Sequence, residues 1–100
     1  MTQVFDEHKM KFEWDEEKRL INLRKHGFDF ADAELIFQNE VYTDVDDRFD
    51  YGEIRFLTLG LLFGRVVAVS HTETGDLIRV ISIRKANKYD QEKYFKKIRN

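Results

Sequence analysis

The repeat of the apolar residues changes once along this chain, at Val41, and that change limits what the chain can fold into. Before it, Phe30, Ala33, Ile36 and Phe37 recur at spacings of three and four, the stripe of an amphipathic helix. After it, apolar and polar residues alternate in runs separated by turns that contain glycine. Gly64 divides two such runs, and Glu73-Thr74-Gly75-Asp76 divides the next two, so successive strands are joined by tight hairpins. Hairpin-linked strands with helices gathered at the ends predict an α+β fold, with the helices packed on one face of a sheet.

Local chemistry sets the boundaries. Residues 1–10 show no period and are expected to be a loose extension ahead of a single domain, 11–100. Lys11-Phe12-Glu13-Trp14 alternates as a short strand does. Asp15 then caps a helix, Glu16 and Glu17 suit its positive end, and Arg24, Lys25 and His26 suit its negative end. Gly27 is placed to take the left-handed conformation that ends it, and Leu20, Ile21 and Leu23 form its buried stripe. Asp29 caps the second helix. Val41-Tyr42-Thr43 reads as a strand, and 44–51 as an acidic turn ending at Gly52. Long strands follow over 53–63, 65–72 and 77–85, with Gly60 marking a bulge or bend. Asn87 or Asp90 opens a closing helix whose apolar face carries Tyr94, Phe95 and Ile98. The predicted order is β-α-α-β-β-β-β-α.

One hundred residues are enough for one core and too few for two. The chain has no cysteine, which excludes disulfides and cysteine-based zinc sites. His8, His26 and His71 form no HxxxH or HxH pair, so no metal or other cofactor is expected. The longest apolar run, Leu57 to Phe63, is broken by Thr58 and Gly60 and is far too short for a bilayer. The first residues lack the apolar stretch of a signal peptide, so the cytoplasm is the expected location, with no membrane partner. Net charge is −2, which argues against a general nucleic-acid binder. The two signs are segregated, however. Residues 1–64 carry 8 basic and 15 acidic side chains, and residues 65–100 carry 9 basic and 4 acidic.

Three sets of polar residues could carry chemistry. Lys18, Asn22, Lys25 and His26 fall on one face of the first helix, a pattern that a solvated face also produces. Arg55 is in phase with Leu57 and Leu59, and His71 with Val67 and Val69. In the last strand, strict alternation puts Ile78, Val80, Ser82 and Arg84 on one face and Arg79, Ile81, Ile83 and Lys85 on the other. Cations in phase with apolar residues tend to rim a concave sheet, although they also snorkel from the edge of a core. The third set, Tyr89, Lys93, Tyr94, Lys96, Lys97 and Arg99, mixes cations with aromatics as phosphate contacts and base stacking require. It equally describes a soluble helix anchored by Tyr94.

Together these residue types suit RNA cleavage by the 2′-hydroxyl. That reaction needs a base for the 2′ proton, cations for the pentacovalent phosphorane and an acid for the 5′ oxygen, and no metal. Arginine and lysine supply the charge, and histidine or a lysine of lowered pKa moves the protons.

The segment Phe12-x-Trp14-Asp15-x-x-Lys18-x-x-x-Asn22-x-x-Lys25-His26-Gly27-Phe28-x-Phe30 resembles the N-terminal signature of the BrnT family, ribonuclease toxins of type II toxin–antitoxin systems. Glu53-x-Arg55, Gly60, Gly64-Arg65, Arg79-x-Ile81-Ser82-x-Arg84-x-Ala86 and Glu92-x-Tyr94 continue it in order, over about residues 11–98. The resemblance implies a RelE-like fold: two N-terminal helices on a twisted antiparallel sheet of about four strands, with a C-terminal helix. It also implies a metal-independent endoribonuclease that arrests translation. A BrnA-type antitoxin would neutralise it, and DNA would be reached only through that partner. Carried over by position, the family motif puts Lys25, His26, Arg55, Arg79, Arg84 and Tyr94 at the functional surface. Lys18, Asn22, His71, Lys85 and Lys97 are then expected to contact RNA. In that assignment Lys25 or His26 transfers the proton, Arg79 and Arg84 hold the scissile phosphate, Arg55 supports the charge, and Tyr94 orients the phosphate or stacks on a base. A non-catalytic RNA- or protein-binding module on the same fold is the alternative.

Overall fold

The computed structural model describes residues 10–99, so the expected extension 1–10 lies, apart from Met10, outside the described residues. Its elements are β1 (Lys11–Glu13), α1 (Glu16–His26), a one-turn 3-10 segment (Phe30–Asp32) leading into α2 (Ala33–Gln38), β2 (Tyr42–Asp46), β3 (Arg55–Leu62), β4 (Arg65–Thr74), β5 (Leu77–Lys85) and α3 (Lys88–Arg99). The caps form where local chemistry places them. Asp15 accepts from the Lys18 N–H, Gly27 ends α1 at φ 79°, and the Asp29 carboxylate accepts from the Ala31 N–H. Asn87 and Asp90 form a reciprocal capping pair at the start of α3, each side chain accepting from the other residue's N–H.

The strands make one sheet in the order β1-β5-β4-β3-β2. The sheet is five-stranded and mixed, not four-stranded and antiparallel, because β1 adds to the β5 edge in parallel. Three residues are too few for alternation to reveal their partner. β2 runs on to Asp46, so the acidic turn is shorter than expected, and β3 begins at Arg55.

Two cores sandwich this sheet. Val67 and Val69 of β4 pack with Phe30, Ile36 and Ile83, whereas Val66 and Ala68 pack with Leu59, Ala86 and Tyr94. Successive side chains on a strand point to opposite faces, so α1 and α2 cover one face and α3 the other. The expected placement of every helix on one face is therefore corrected. Alternation shows that both faces of β4 are apolar, but only the turn at Asn87–Asp90 decides on which side the last helix lands.

α1 also differs from expectation. Leu20, Ile21 and Leu23 are 46%, 49% and 37% exposed, and the residue that α1 buries is Asn22. The helix lies along the β5 edge, where hydrogen bonds take the place of an apolar stripe. Gly60 sits in regular register opposite Val67 and makes no bulge. A Cβ there would lie 2.9 Å from Ile36 Cγ2 and 3.0 Å from Val41 Cγ1, so glycine lets α2 approach the sheet. The bulge lies instead between β4 and β5. Ser70 pairs with Ser82 and His71 with Val80, leaving Ile81 as the extra residue.

Candidate active site on the α3 face of the sheet

The bulge determines which arginines share a face of the sheet. With Ile81 unpaired, Ile78, Val80 and Ile83 all face the α1/α2 core. Arg79, between Ile78 and Val80, points to the opposite face. Arg84 pairs with Ala68 and reaches α3, so it lies on that same opposite face. Strict alternation separates Arg79 from Arg84, and the structure corrects this. Arg55 precedes Phe56, which stacks on His71, and alternates with Leu57 and Leu59 of the α3-side core. Arg55, Arg79 and Arg84 thus share the face on which α3 lies.

Each guanidinium is held by a carboxylate. Arg79 Nη1 donates to Glu13 at 3.0 Å, and Arg84 Nη1 to the buried Asp90 carboxylate at 3.0 Å. Arg55 Nε donates to Glu53 at 3.2 Å, and its guanidinium stands 4.0 Å from the centre of the Tyr51 ring. These contacts fix orientation and also partly neutralise the charge a phosphate would meet. Arg84 lines a cleft of about 380 Å³ between the end of β2 with the residues after it and the first turns of α3, lined also by Leu57, Asp44, Asp47, Tyr89 and Lys93. Lys93 donates to Asp44 at 3.0 Å, which together with the Tyr42 hydroxyl holds that carboxyl below its usual range.

A second group gathers at the C-terminal end of β5. The Asn22 side chain donates to the Phe28 carbonyl at 3.1 Å and the Ile83 carbonyl at 2.9 Å, and accepts from the Ile83 N–H at 3.2 Å. This ties the end of α1, with Lys25 and His26, to the stretch of β5 just before Arg84 and Lys85. Arg65, at the start of β4, lies with its guanidinium 5.3 Å from the Phe28 ring centre. Lys25, His26, Arg65 and Lys85 have no ion-pair partner among the described residues. The candidates therefore form two clusters, one on each face, which meet where Arg84 and Lys85 leave β5 in opposite directions. Arg65 lies in the Gly64-Arg65 motif, and only the fold places it beside Phe28 at this end of the sheet.

The family model described as the ribonuclease toxin, BrnT, of type II toxin–antitoxin systems matches residues 14–90. The chain belongs to the BrnT family. It is also similar to the crystal structure of the Brucella abortus ribonuclease toxin BrnT, at 34% identity and a TM-score of 0.59, over 80% of this chain and all of that one. No curated protein matches it. Family membership makes the chain a ribonuclease toxin of a type II toxin–antitoxin system, for which an antitoxin partner is expected. Among the described residues no helix is long and apolar enough to cross a membrane. Every candidate except Tyr94 and Lys97 lies within the BrnT match.

Three candidates are removed from the surface. Asn22 is buried against backbone groups and has an architectural task. Tyr94 is buried in the α3-side core and donates its hydroxyl to the Glu40 carbonyl at 2.9 Å, so its ring is not offered to a base. Lys18 is exposed near the other end of α1, away from both clusters, and the Lys97 ammonium lies 5.5 Å from the Tyr42 ring centre. His71 is 0% exposed, on the α1/α2 face, between the rings of Phe37 and Phe56. Its Nε2 is 2.7 Å from Thr58 Oγ1, itself 2.7 Å from Thr43 Oγ1. Helix spacing for Asn22, strand phase for His71 and the aromatic–cation pattern for Tyr94 each name a side of an element, but none says what covers that side.

Burial lowers the His71 pKa to about 4, from an unfolded value of 6.5. The unfolded chain therefore takes up this proton first. Stability from this group is complete above pH 6.5 and falls by about 3 kcal/mol as the pH drops to about 4, levelling off below. Urea unfolding at pH 7, 5.5 and 4 measures the loss, and His71→Asn should flatten that part of the profile. An unchanged slope in the variant would assign the loss to other groups.

Proposed function

We propose that this chain is a metal-independent endoribonuclease that cuts RNA by attack of the 2′-hydroxyl and so arrests translation in the cytoplasm. A BrnA-type antitoxin holds it inactive, and DNA is contacted only through that partner. The observation that carries this reading is the bulge at Ile81, which gives Arg79 and Arg84, together with Arg55, to the α3 face of the sheet. Three guanidinium groups on one surface can stabilise a phosphorane whose charge grows in the transition state. Arg79 and Arg84 hold the scissile phosphate, and Arg55 supports the charge. Lys25 or His26 moves the proton where the RNA crosses the end of β5, and Lys85 and Arg65 steer the strand beyond it.

Incubating RNA with the purified chain, with and without the product of the neighbouring gene, tests this. Shortened products that disappear when the neighbour is added are expected. Intact RNA in the absence of any antitoxin would refute the enzyme. One observation favours a non-catalytic RNA-binding module instead: every arginine of the trio already has a carboxylate partner. Such a module would leave RNA uncut and lose affinity with a slope of about −0.7 per contacted phosphate as salt rises.

A further inference from the structure

The cleft between β2 and α3 carries four carboxylates, an odd lining for a protein that handles phosphates. Three of them are neutralised from within. Asp44 accepts from Lys93 at 3.0 Å and from the Tyr42 hydroxyl at 3.1 Å. Asp46 accepts from the Arg48 guanidinium at 2.8 and 2.9 Å and from the Tyr51 hydroxyl at 3.2 Å. Asp90 accepts from Arg84 at 3.0 Å and from the Asn87 N–H at 3.3 Å. Asp47 is exposed and, among the described residues, has neither a hydrogen bond nor an ion pair. The cleft thus keeps one spare negative charge, which repels a phosphate and attracts a neutral group rich in N–H donors.

Opposite the β2 carboxylates is Tyr89, 68% exposed in the first turn of α3, with Lys93 Nζ 5.9 Å from its ring centre. A large aromatic face left open beside a cation is what base stacking uses. The base that suits a lone carboxylate is decided by donor pattern. Two carboxylate oxygens only accept. The Watson–Crick edge of guanine presents two adjacent donors, N1–H and the 2-amino group, and can be taken bidentately. Adenine and cytosine present one donor beside a ring nitrogen acceptor, and uracil one donor between two carbonyl oxygens, so the second carboxylate oxygen meets repulsion in each case.

We propose that this cleft is a guanine pocket of the RNA site, in which Asp47 takes the Watson–Crick edge and Tyr89 stacks on the ring. The inference rests on the ribonuclease reading and specifies its substrate. Arg84, on the rim of the same cleft and on the phosphate-facing side of the sheet, connects the pocket to the reacting phosphate.

Binding of uridine tetranucleotides carrying one guanine, inosine or adenine, 2′-O-methylated so that they cannot be cut, tests it by fluorescence anisotropy. Guanine should bind about tenfold tighter than adenine, with inosine, which lacks the 2-amino group, in between. Asp47→Asn should bring the three within twofold of one another, and Tyr89→Ala should weaken all of them about tenfold. Both side chains are exposed, and matched melting curves confirm that the variants are folded. Equal binding by the wild-type chain, or a guanine preference that survives Asp47→Asn, overturns the pocket. Cutting of unmodified RNA by the same preparation is scored separately. A guanine preference without cutting upholds the pocket and refutes the ribonuclease, whereas cutting without a preference refutes the pocket alone.

Discussion

Replacing Arg79 and Arg84 together by alanine is expected to lower RNA cleavage at least about a thousandfold and to abolish growth arrest on expression. Removing one donor aimed at developing charge costs on the order of 10² to 10³ in rate. Groups that act on one phosphate, as proposed for this pair, work as a unit, so the double loss need not equal the product of the single losses. The controls follow from geometry. Arg84 satisfies the buried Asp90 carboxylate, which also caps α3, so its loss leaves a buried charge without its cation and lowers stability as well. Arg79 is 48% exposed and pairs with an exposed Glu13, so Arg79→Ala should unfold within about 1 kcal/mol of the parent chain. A fall of about a hundredfold in cleavage by Arg79→Ala, with melting unchanged, separates lost chemistry from lost fold. Equal toxicity of the double variant and the wild type would show that the arginines are not the site.

Asn22→Ala is expected to destabilise the fold by about 3 kcal/mol, more than any other single polar change on α1. β1 covers the β5 edge only as far as Arg79, and further along the Asn22 amide serves both backbone groups of Ile83 as a neighbouring strand would. The same amide nitrogen holds the Phe28 carbonyl and so sets where the α1–α2 turn leaves the helix. Alanine would leave three backbone groups to find water. Asn22→Asp should fail as well, because a carboxylate accepts from the Ile83 N–H but cannot donate to the two carbonyls. Urea unfolding gives the number. Unchanged stability with weakened RNA binding would make Asn22 an RNA contact instead.

Between these two variants lies the difference between motif and mechanism. Lys18, Asn22, Lys25 and His26 share a helical spacing, yet Asn22 is buried at the β5 edge and Lys18 faces solvent. Spacing on a helix specifies a common side, not what lies on that side. Arg65, without a carboxylate partner among the described residues, and Asp90, which orients Arg84, join the candidate site. Nothing in the sequence links Asp90 to Arg84 until α3 folds back.

Local order was settled by the chain itself. Asp15 and Gly27 bound α1, Asp29 and the threes and fours after it make the second helix, and Gly64 and Gly75 turn the hairpins. All of these depend on interactions within a few residues, which a sequence displays directly. The α+β class follows from them, and the run of motifs from Phe12 to Tyr94 carries the family. What needed the tertiary structure was everything that depends on faces. One extra residue at Ile81 re-phases β5, since a strand has a period of two and a single insertion exchanges its sides for every residue beyond. That insertion puts Arg79 and Arg84 on the same face, and the turn at Asn87–Asp90 carries α3 to the face opposite α1 and α2. Burial of His71 and Tyr94 follows from those two choices. Neither choice is written in local spacing, because each is decided by which long-range pairings bury the most apolar surface.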